Sequence, residues 1–253
     1  MDVSRKPVVS AVIPMFNRGD KAIVAVESCL KQSFRNIEVI VVDDHSTEDM
    51  PFDRIEALDP RVKVIRLARN SGAAIARNVG AFAARGDFVA FLDADDIWLP
   101  DKLEKQLAYV ERHKVPGKTF LAATNVLAGG SDVLTKVNQR PPGPNEHVAD
   151  YLMLSDQMLQ TSTLLVPVEL ARESYFNPEL KRHQDWDFVL RAIHRGAALL
   201  YVDEPLTIYD MGYDARRISV HPLAFKRSVD WFRTAFDTVS YTHLRAHETD
   251  SYL

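Results

Sequence analysis

Three aspartates follow one short apolar segment of the 253-residue chain. Residues 88–92 predict a buried strand, and Asp93, Asp95 and Asp96 come directly after it. Because unpaired buried charge is costly, these carboxylates must meet a cation or water. Carboxylate oxygens are the hard ligands that Mg²⁺ and Mn²⁺ prefer, and such ions often share their remaining positions with phosphates. The competing interpretation is a solvated acidic turn that caps a helix starting near Pro100.

The composition is that of an ordinary globular protein, with 46% hydrophobic residues, 26% charged residues and a net charge of −4. The length suits one large domain, or a domain with an appendage, and allows a sizeable core; the acidic balance argues against a nucleic-acid partner. The single Cys29 excludes an intramolecular disulfide and lies at an apolar helical position, which favours a core thiol. With no signal pattern and no apolar run long enough for a bilayer, we expect a cytoplasmic protein, free or peripheral at the inner face of the membrane.

Apolar strands alternate with amphipathic helices through the first half. We expect strands at 8–13, 37–42, 62–67 and 88–92, and helices at 20–32, 49–58, 73–85 and 100–113. Pro14 is expected to end the first strand and Asp20 to cap the first helix. This alternation predicts an α/β fold with a Rossmann-like, mostly parallel central sheet flanked by helices.

Ligands of such sheets bind beyond the carboxyl ends of the strands. The loops at that edge are 14–18, 43–47, 69–72 and 93–98, and each of them carries Asp, Asn or Arg. This convergence favours the metal interpretation of the aspartates. A dinucleotide site is disfavoured because no Gly-X-Gly-X-X-Gly follows the first strand.

The second half is less regular. We expect strands at 119–127, 160–166, 199–202 and 206–209, a flexible polar loop at 129–144, and a helix that opens around 181–187 and ends near 195. Residues from 239 onward break the preceding helical pattern and have no apolar period. We expect the tail 239–253 to be non-native and the true C-terminus to be missing.

Six segments occur in an order that carries a resemblance: residues 9–17 (VSAVIPMFN), 28–34 (SCLKQSF), 38–47 (EVIVVDDHST), 70–80 (NSGAAIARNVG), 86–101 (GDFVAFLDADDIWLPD) and 184–187 (QDWD). Together they resemble glycosyltransferase family 2, the inverting nucleotide-sugar transferases with the GT-A fold. The resemblance implies a single GT-A domain over residues 1–238. Its nucleotide-sugar-binding half would be 8–113, and its less regular acceptor-binding half 114–238.

The resemblance also implies roles in donor binding. Pro14 and Phe16 would line the pocket for the base, with Asn17 among the substrate contacts. The Asp44 carboxylate would accept a hydrogen bond from the base N–H, although capping of the Ser46–Thr47 turn is an alternative. Arg77 would reach the base or the phosphates, although pairing with Asp87 competes with that role.

Family members hold their metal with the matching aspartates. By this resemblance Asp95 is the closer metal ligand, and Asp93 is a metal ligand that also contacts the ribose. Asp96 would cap a helix or support the ligands from behind. In the segment 216–221, Arg217 would contact the diphosphate and His221 the metal; a solvated basic loop is the alternative.

Inverting transfer needs a base, and the resemblance assigns that role to Asp185. Gln184 stands where the family more often has Glu, which puts in doubt what that residue contributes to the acceptor contact or to the base. Trp186 would form the floor of the acceptor site or simply pack. Asp187 would cap the helix or pair with Arg191.

The function implied is Mn²⁺- or Mg²⁺-dependent transfer of a sugar from a nucleoside diphosphate sugar, with UDP preferred, to a hydroxyl of a glycan or lipid-linked acceptor. Surface polysaccharide synthesis is the implied setting. One alternative is a nucleotide-sugar-binding protein without transfer activity, which the Gln184 departure keeps open. A metal-dependent nucleotidyltransferase is less favoured, because no Gly-rich, Lys-bearing phosphate loop follows the first strand.

Overall fold

The computed structural model describes residues 6–129, 134–136, 140–155, 157–211 and Trp231. The strands are β1 Val9–Met15, β2 Ile37–Asp43, β3 Val62–Arg66, β4 Phe88–Phe91, β5 Ile97–Trp98, β6 Phe120–Gly129, β7 Leu134–Lys136, β8 Leu165–Pro167 and β9 Ala198–Asp210. The helices are α1 Gly19–Leu30, α2 Phe52–Glu56, α3 Ala73–Ala83, α4 Lys102–His113, α5 Val148–Met153, α6 Val168–Ser174 and α7 Gln184–His194, with a 3₁₀ turn at Thr161–Thr163. The tail 239–253 lies outside the described residues.

The strands form one sheet in the spatial order β3-β2-β1-β4-β8-β6-β9-β5, with β7 paired to β6. Strand β1 runs parallel to β2 and β4, β2 parallel to β3, and β6 parallel to β9. Strand β8 joins the two parallel groups by antiparallel pairing with β4 and β6. Parallel pairing covers most of the paired residues, which confirms the predicted α/β class and its mostly parallel sheet.

Hydrophobic side chains fill both faces of this sheet, because alternate residues of a strand point to opposite sides. On one face Val12 and Phe91 pack in a cluster with α3, α6 and α7. On the other face Ile13 and Leu92 pack with α1 and α4. Within the described residues, no helix is long and apolar enough to cross a membrane.

The prediction that Pro14 ends β1 is wrong, since β1 continues to Met15 and Pro14 lies in register with Val42 of β2. The carbonyl of Val12 accepts a hydrogen bond from Leu92, on the β4 side. Residues two apart face the same neighbour, so the missing N–H of Pro14 also faces the β4 side. The pairing with β4 has already ended at Val12, and the proline therefore removes no ladder hydrogen bond.

Three predicted strands of the second half are also different. The segment 160–166 forms the 3₁₀ turn and then short β8, because the Thr163 hydroxyl bonds the Gln160 carbonyl at 2.7 Å and favours a turn. The two strands expected at 199–202 and 206–209 are one strand, β9. Its pairing with β6 continues past Pro205 through a register shift at Asn125.

Boundary and length errors account for the other differences. Helix α1 begins at Gly19, so Asp20 lies in the first turn and does not cap it. Helix α4 begins at Lys102 after Asp101. The sequence patterns missed β5, β7, α5 and α6, which are too short to show a clear period.

Close contact between α3 and β1 requires a residue without a side chain at position 80. A Cβ atom on Gly80 would clash with Cγ1 of Val12, in the centre of β1. We predict that Gly80→Ala lowers the free energy of unfolding by about 1–3 kcal/mol, because the helix or Val12 must shift. Urea unfolding followed by circular dichroism measures the change.

Gly143→Ala is the matched control, since a Cβ there meets only Glu146 at ordinary contact distances of 3.5 and 3.6 Å. The control is expected to change stability by less than about 0.5 kcal/mol. Equal stability of the two variants would contradict the close packing of α3 on β1.

Candidate active site

Four loops meet at the carboxyl ends of β1 to β4, as the parallel topology requires. They follow the strands that end at Met15, Asp43, Arg66 and Phe91. Helix α7 contributes its first turn to the same place, because Gln184 contacts α3. The polar side chains of these segments bind one another, and their contacts define the site.

Asp44 connects the loop after β2 to the start of α3. Its carboxylate accepts hydrogen bonds from the backbone N–H groups of Ser71 and Gly72, each at 2.7 Å. The turn at Ser46 is instead capped by Asp43, so the alternative that Asp44 caps this turn is wrong. An ionised carboxylate has further acceptor positions, and a hydrogen bond from a nucleotide base to Asp44 stays a prediction.

Asn17 joins the loop after β1 to the loop after β2. Its side-chain oxygen accepts from the backbone N–H groups of Thr47 (2.9 Å) and Glu48 (3.2 Å), and its amide nitrogen donates to the Thr47 hydroxyl. Beside it Phe16 is 39% exposed, whereas Pro14 is buried in β1. Of these three predicted substrate contacts, Phe16 is the most exposed, Asn17 is partly buried and Pro14 is buried.

Arg77 projects from α3 and connects β4 to α7. Its guanidinium donates to Asp93 at 2.6 Å and to the side-chain oxygen of Gln184 at 2.8 Å, and it lies over the ring of Phe176. The alternative pairing with Asp87 is wrong, because Asp87 pairs with Lys6 at the other end of β4. Arg77 is 6% exposed, and its Nε has no hydrogen-bond partner within the described residues.

Asp95 faces a residue to which the sequence patterns assigned no role. An oxygen of its carboxylate lies 3.2 Å from the Arg18 guanidinium, and both side chains are largely buried. Arg18 could have been considered from its position, since it closes one of the four loops predicted at this edge. The pairing of Arg18 with Asp95 could not be predicted, because no local sequence pattern relates position 18 to position 95.

Asp96 supports the carboxylate loop from behind. It is buried and accepts hydrogen bonds from the side chains of Gln160 and Ser162 and from the backbone N–H of Asp210. Ser162 also accepts from the backbone N–H of Asp93. The prediction that Asp96 caps a helix is therefore wrong. Through Ser162 its carboxylate supports the backbone at Asp93, and support of metal ligands stays a prediction. Burial, with the nearby charges of Asp93 and Asp95, raises the pKa of Asp96 to about 8.

Asp185 lies in the first turn of α7, and an oxygen of its carboxylate accepts from the backbone N–H of Trp186. Desolvation by burial raises its pKa to about 6, although the positive charge of Arg77 acts in the opposite direction. A carboxylate with a raised pKa is a stronger proton acceptor at neutral pH. This environment suits the predicted base.

The neighbours of Asp185 pack and pair locally. Trp186 is half-buried and contacts His183 and Trp231, with ring centroids 4.8 and 5.8 Å away. Asp187 pairs with Arg191 at 2.7 Å, one helical turn on, as predicted. These ring contacts explain the position of Trp186 without a contact to an acceptor substrate.

The side chains of the described residues support the predicted metal site only in part. Two hard carboxylates, Asp93 and Asp95, suit Mg²⁺ or Mn²⁺, which often bind one or two carboxylates together with substrate phosphates. The part of the chain that the structure describes contains no group of three or more His, Cys, Asp or Glu placed to hold a metal. The remaining predictions, Arg217 and His221, lie outside the described residues. The carboxylate oxygens of Asp93 and Asp95 fit Mg²⁺ or Mn²⁺, and a phosphate-bearing substrate would supply the remaining ligands.

The comparisons with known proteins agree with this architecture. The family profile "Glycosyl transferase family 2" matches residues 10–140, just over half of the chain. The amylovoran biosynthesis glycosyltransferase AmsB of Erwinia amylovora is 33% identical over 209 residues, which are 80% of this chain and 69% of AmsB. An Escherichia coli protein, UDP-Glc:alpha-D-GlcNAc-diphosphoundecaprenol beta-1,3-glucosyltransferase WfaP, is 38% identical over 138 residues, 54% of this chain and 53% of WfaP.

Among solved structures, TarS of S. aureus in complex with UDP-GlcNAc superposes with a TM-score of 0.70 at 23% sequence identity. The match covers 84% of this chain and 61% of that TarS chain. The fold is therefore the GT-A fold, and the protein is a glycosyltransferase. The chain belongs to glycosyltransferase family 2.

The raised pKa of Asp185 has a consequence for stability. The pKa of this carboxyl group is about 6 in the folded protein, against an ordinary value of 3.8. Its ionised form therefore destabilises the folded protein at pH values above 6, and this effect is lost as the pH falls toward 3.8. We predict that Asp185→Asn raises the free energy of unfolding by about 1–3 kcal/mol at pH 8, and that this gain shrinks toward pH 4. Urea denaturation at both pH values measures the difference.

Asp20→Asn is the control, because Asp20 is an exposed carboxylate in the first turn of α1. It removes the same charge from the same helical position without the burial, and we expect a small loss of about 0.5 kcal/mol. A gain at Asp185 that is equal at pH 4 and pH 8 would show that burial of its charge is not the cause.

Proposed function

We propose that the protein transfers a sugar with inversion from a nucleoside diphosphate sugar, with UDP as the nucleotide, to an acceptor hydroxyl, and that transfer requires Mg²⁺ or Mn²⁺. One observation carries this proposal: Arg77 binds both Asp93, at the end of β4, and Gln184, the residue before Asp185. The contact brings the predicted metal ligands and the predicted base to one place.

Donor binding is proposed for the half of the chain at 8–113. Phe16 is exposed at the carboxyl end of β1, and the buried Asp44 carboxylate lies at the carboxyl end of β2, where nucleotides bind in such sheets. The name of WfaP specifies a UDP-glucose donor, and TarS was solved with UDP-GlcNAc. These relatives support UDP as the nucleotide to test first.

Asp93 and Asp95 would hold the divalent cation, which when bound offsets the negative charge that develops on the departing diphosphate. Asp185 accepts the proton of the acceptor hydroxyl. The hydroxyl oxygen forms a bond to the anomeric carbon while the bond from that carbon to the diphosphate oxygen breaks on the opposite face. Inversion follows from this direct displacement, which needs one base and no covalent enzyme intermediate.

Gln184 is compatible with catalysis. Its side-chain oxygen accepts from Arg77, and its amide nitrogen donates to the Leu180 carbonyl at 2.7 Å. A glutamate could accept the same hydrogen bond from Arg77, so the glutamine keeps this contact, while it removes a charge and adds the donor that binds Leu180. This observation weighs against the alternative of a binding protein without transfer activity.

The acceptor is proposed to be a glycan or lipid-linked saccharide that contacts the half at 114–238. The name of AmsB places it in amylovoran biosynthesis, and that of WfaP gives a diphosphoundecaprenol acceptor. We propose a corresponding role in surface polysaccharide synthesis, at the cytoplasmic face of the membrane where a lipid-linked acceptor would be met.

Two substitutions separate binding from chemistry. We predict that Asp95→Ala weakens Mn²⁺-dependent UDP binding by roughly 10- to 100-fold, because a metal ligand is lost. Asp185→Asn should bind UDP like the wild type and lose transfer by about 100-fold or more, because the base is lost. Titration calorimetry with UDP and Mn²⁺ measures binding, and release of UDP over a panel of acceptors measures transfer.

Asp87→Asn is the matched control, since Asp87 is an exposed aspartate at the opposite end of β4. It should leave both quantities unchanged. Near-wild-type transfer by Asp185→Asn would refute its role as the base. UDP binding that does not respond to Mn²⁺ or to Asp95→Ala would refute the metal assignment.

The pH dependence of transfer follows from the same base. Asp185 accepts a proton only when ionised, and burial raises its pKa to about 6. We predict that kcat/KM is constant above that pH and falls about tenfold for each pH unit below it. Initial rates between pH 5 and pH 8 measure the profile, and a flat profile over this range would contradict the assignment.

A further inference from the structure

Both predicted metal ligands already face an arginine from another part of the chain. Asp95 lies 3.2 Å from Arg18, which precedes α1, and Asp93 lies 2.6 Å from Arg77 of α3. The side chains of the Arg18–Asp95 pair are only 15% and 17% exposed. Solvent therefore screens this pair far less than a surface salt bridge.

We propose that Arg18 is the resident counter-ion of Asp95, so that the free protein binds a divalent cation weakly and takes it up together with the nucleoside diphosphate. This inference rests on the proposed function and deepens it, because it assigns to Arg18 control over when the metal binds. Neither the family match nor the sequence patterns assign a role to this residue.

The charges at the site support this order of binding. Two carboxylates paired with two guanidinium groups leave no net negative charge on these four side chains to attract a cation. A divalent ion on Asp95 would also lie within a few ångströms of the Arg18 charge, and like charges repel at that distance. A cation that approaches the free protein must therefore displace Arg18, and the described part of the chain offers no group of three or more His, Cys, Asp or Glu placed to hold the cation instead.

The diphosphate changes this balance. It brings negative charge and oxygen ligands for the cation, and its oxygens are also good hydrogen-bond acceptors for a guanidinium group. Arg18 can then exchange Asp95 for a phosphate oxygen while the cation takes the carboxylate. Because binding linkage is reciprocal, the nucleotide should raise the affinity for the cation by the same factor as the cation raises the affinity for the nucleotide.

The test is the affinity for Mn²⁺ without nucleotide, from the electron paramagnetic resonance signal of free Mn²⁺. We expect weak binding by the wild type and binding about tenfold or more tighter by Arg18→Gln, since a competing charge is removed. Adding Asp95→Asn to Arg18→Gln should abolish the gain. Arg18→Met, which removes the charge and keeps much of the side-chain length, serves as a second variant if Arg18→Gln does not fold.

Lys31→Gln is the matched control, because it removes one positive charge from the far end of α1, where Lys31 is exposed and pairs with Glu27. It should bind Mn²⁺ like the wild type. If Arg18→Gln and Arg18→Met bind Mn²⁺ no better than the wild type, the role of Arg18 is refuted. Equal wild-type affinity for Mn²⁺ with and without UDP would refute it as well.

A parallel titration with UDP at saturating Mn²⁺ separates this inference from the proposed function. If the wild type binds UDP with Mn²⁺ and the Arg18 variants gain no affinity for Mn²⁺ alone, only the role of Arg18 fails. If UDP, GDP and dTDP all fail to bind with Mn²⁺, the proposed function fails, and the nucleotide-free Mn²⁺ affinities still decide whether Arg18 opposes a cation at Asp95.

Discussion

The guanidinium of Arg77 is the group around which the site is arranged. A buried positive charge is costly unless it is paired and hydrogen-bonded. Asp93 supplies the opposite charge, and Asp93 and Gln184 each accept a hydrogen bond from a terminal nitrogen of the guanidinium. These partners come from the end of β4 and the start of α7, so the same contact holds two distant parts of the chain together. Charge-assisted hydrogen bonds of 2.6 and 2.8 Å also restrict the orientation of each partner.

The carboxylate loop is held from its other side by Asp96. Ser162 donates to Asp96 and accepts from the backbone of Asp93, which couples the 3₁₀ turn to the residues that face the site. The end of β9 joins this network through the backbone N–H of Asp210. The first and second halves of the chain thus meet in one hydrogen-bonded network, and the position of the loop depends on both.

Four nearby aspartates of the site differ in their burial and in the charges next to them. Asp93 and Asp95 are compensated by arginines, whereas Asp96 is enclosed by uncharged donors and has a raised pKa. Asp185 is desolvated as well, and Arg77 limits the rise of its pKa. Desolvation by burial is the main cause of the raised pKa at both Asp96 and Asp185, and the nearby charges differ between the two positions.

The sequence by itself determined the α/β class, the places of β1 to β4 and the edge at which their loops meet. Apolar runs, helical periodicity and the rule that parallel strands align their carboxyl ends are local or topological properties, so they can be read without coordinates. The pairing of Asp187 with Arg191 was predictable for the same reason, since it spans one helical turn.

Only the tertiary structure decided which charges pair between distant parts of the chain. Asp87 and Asp93 lie at opposite ends of β4, and the packing of α3 on the sheet determines that Arg77 reaches Asp93. Pro14 remains in its strand because the neighbouring β4 has already ended, a fact that its own sequence context does not contain. Ion pairs and ladder hydrogen bonds form over distances of a few ångströms between residues far apart in the chain, and the packing of helices on the sheet sets those distances.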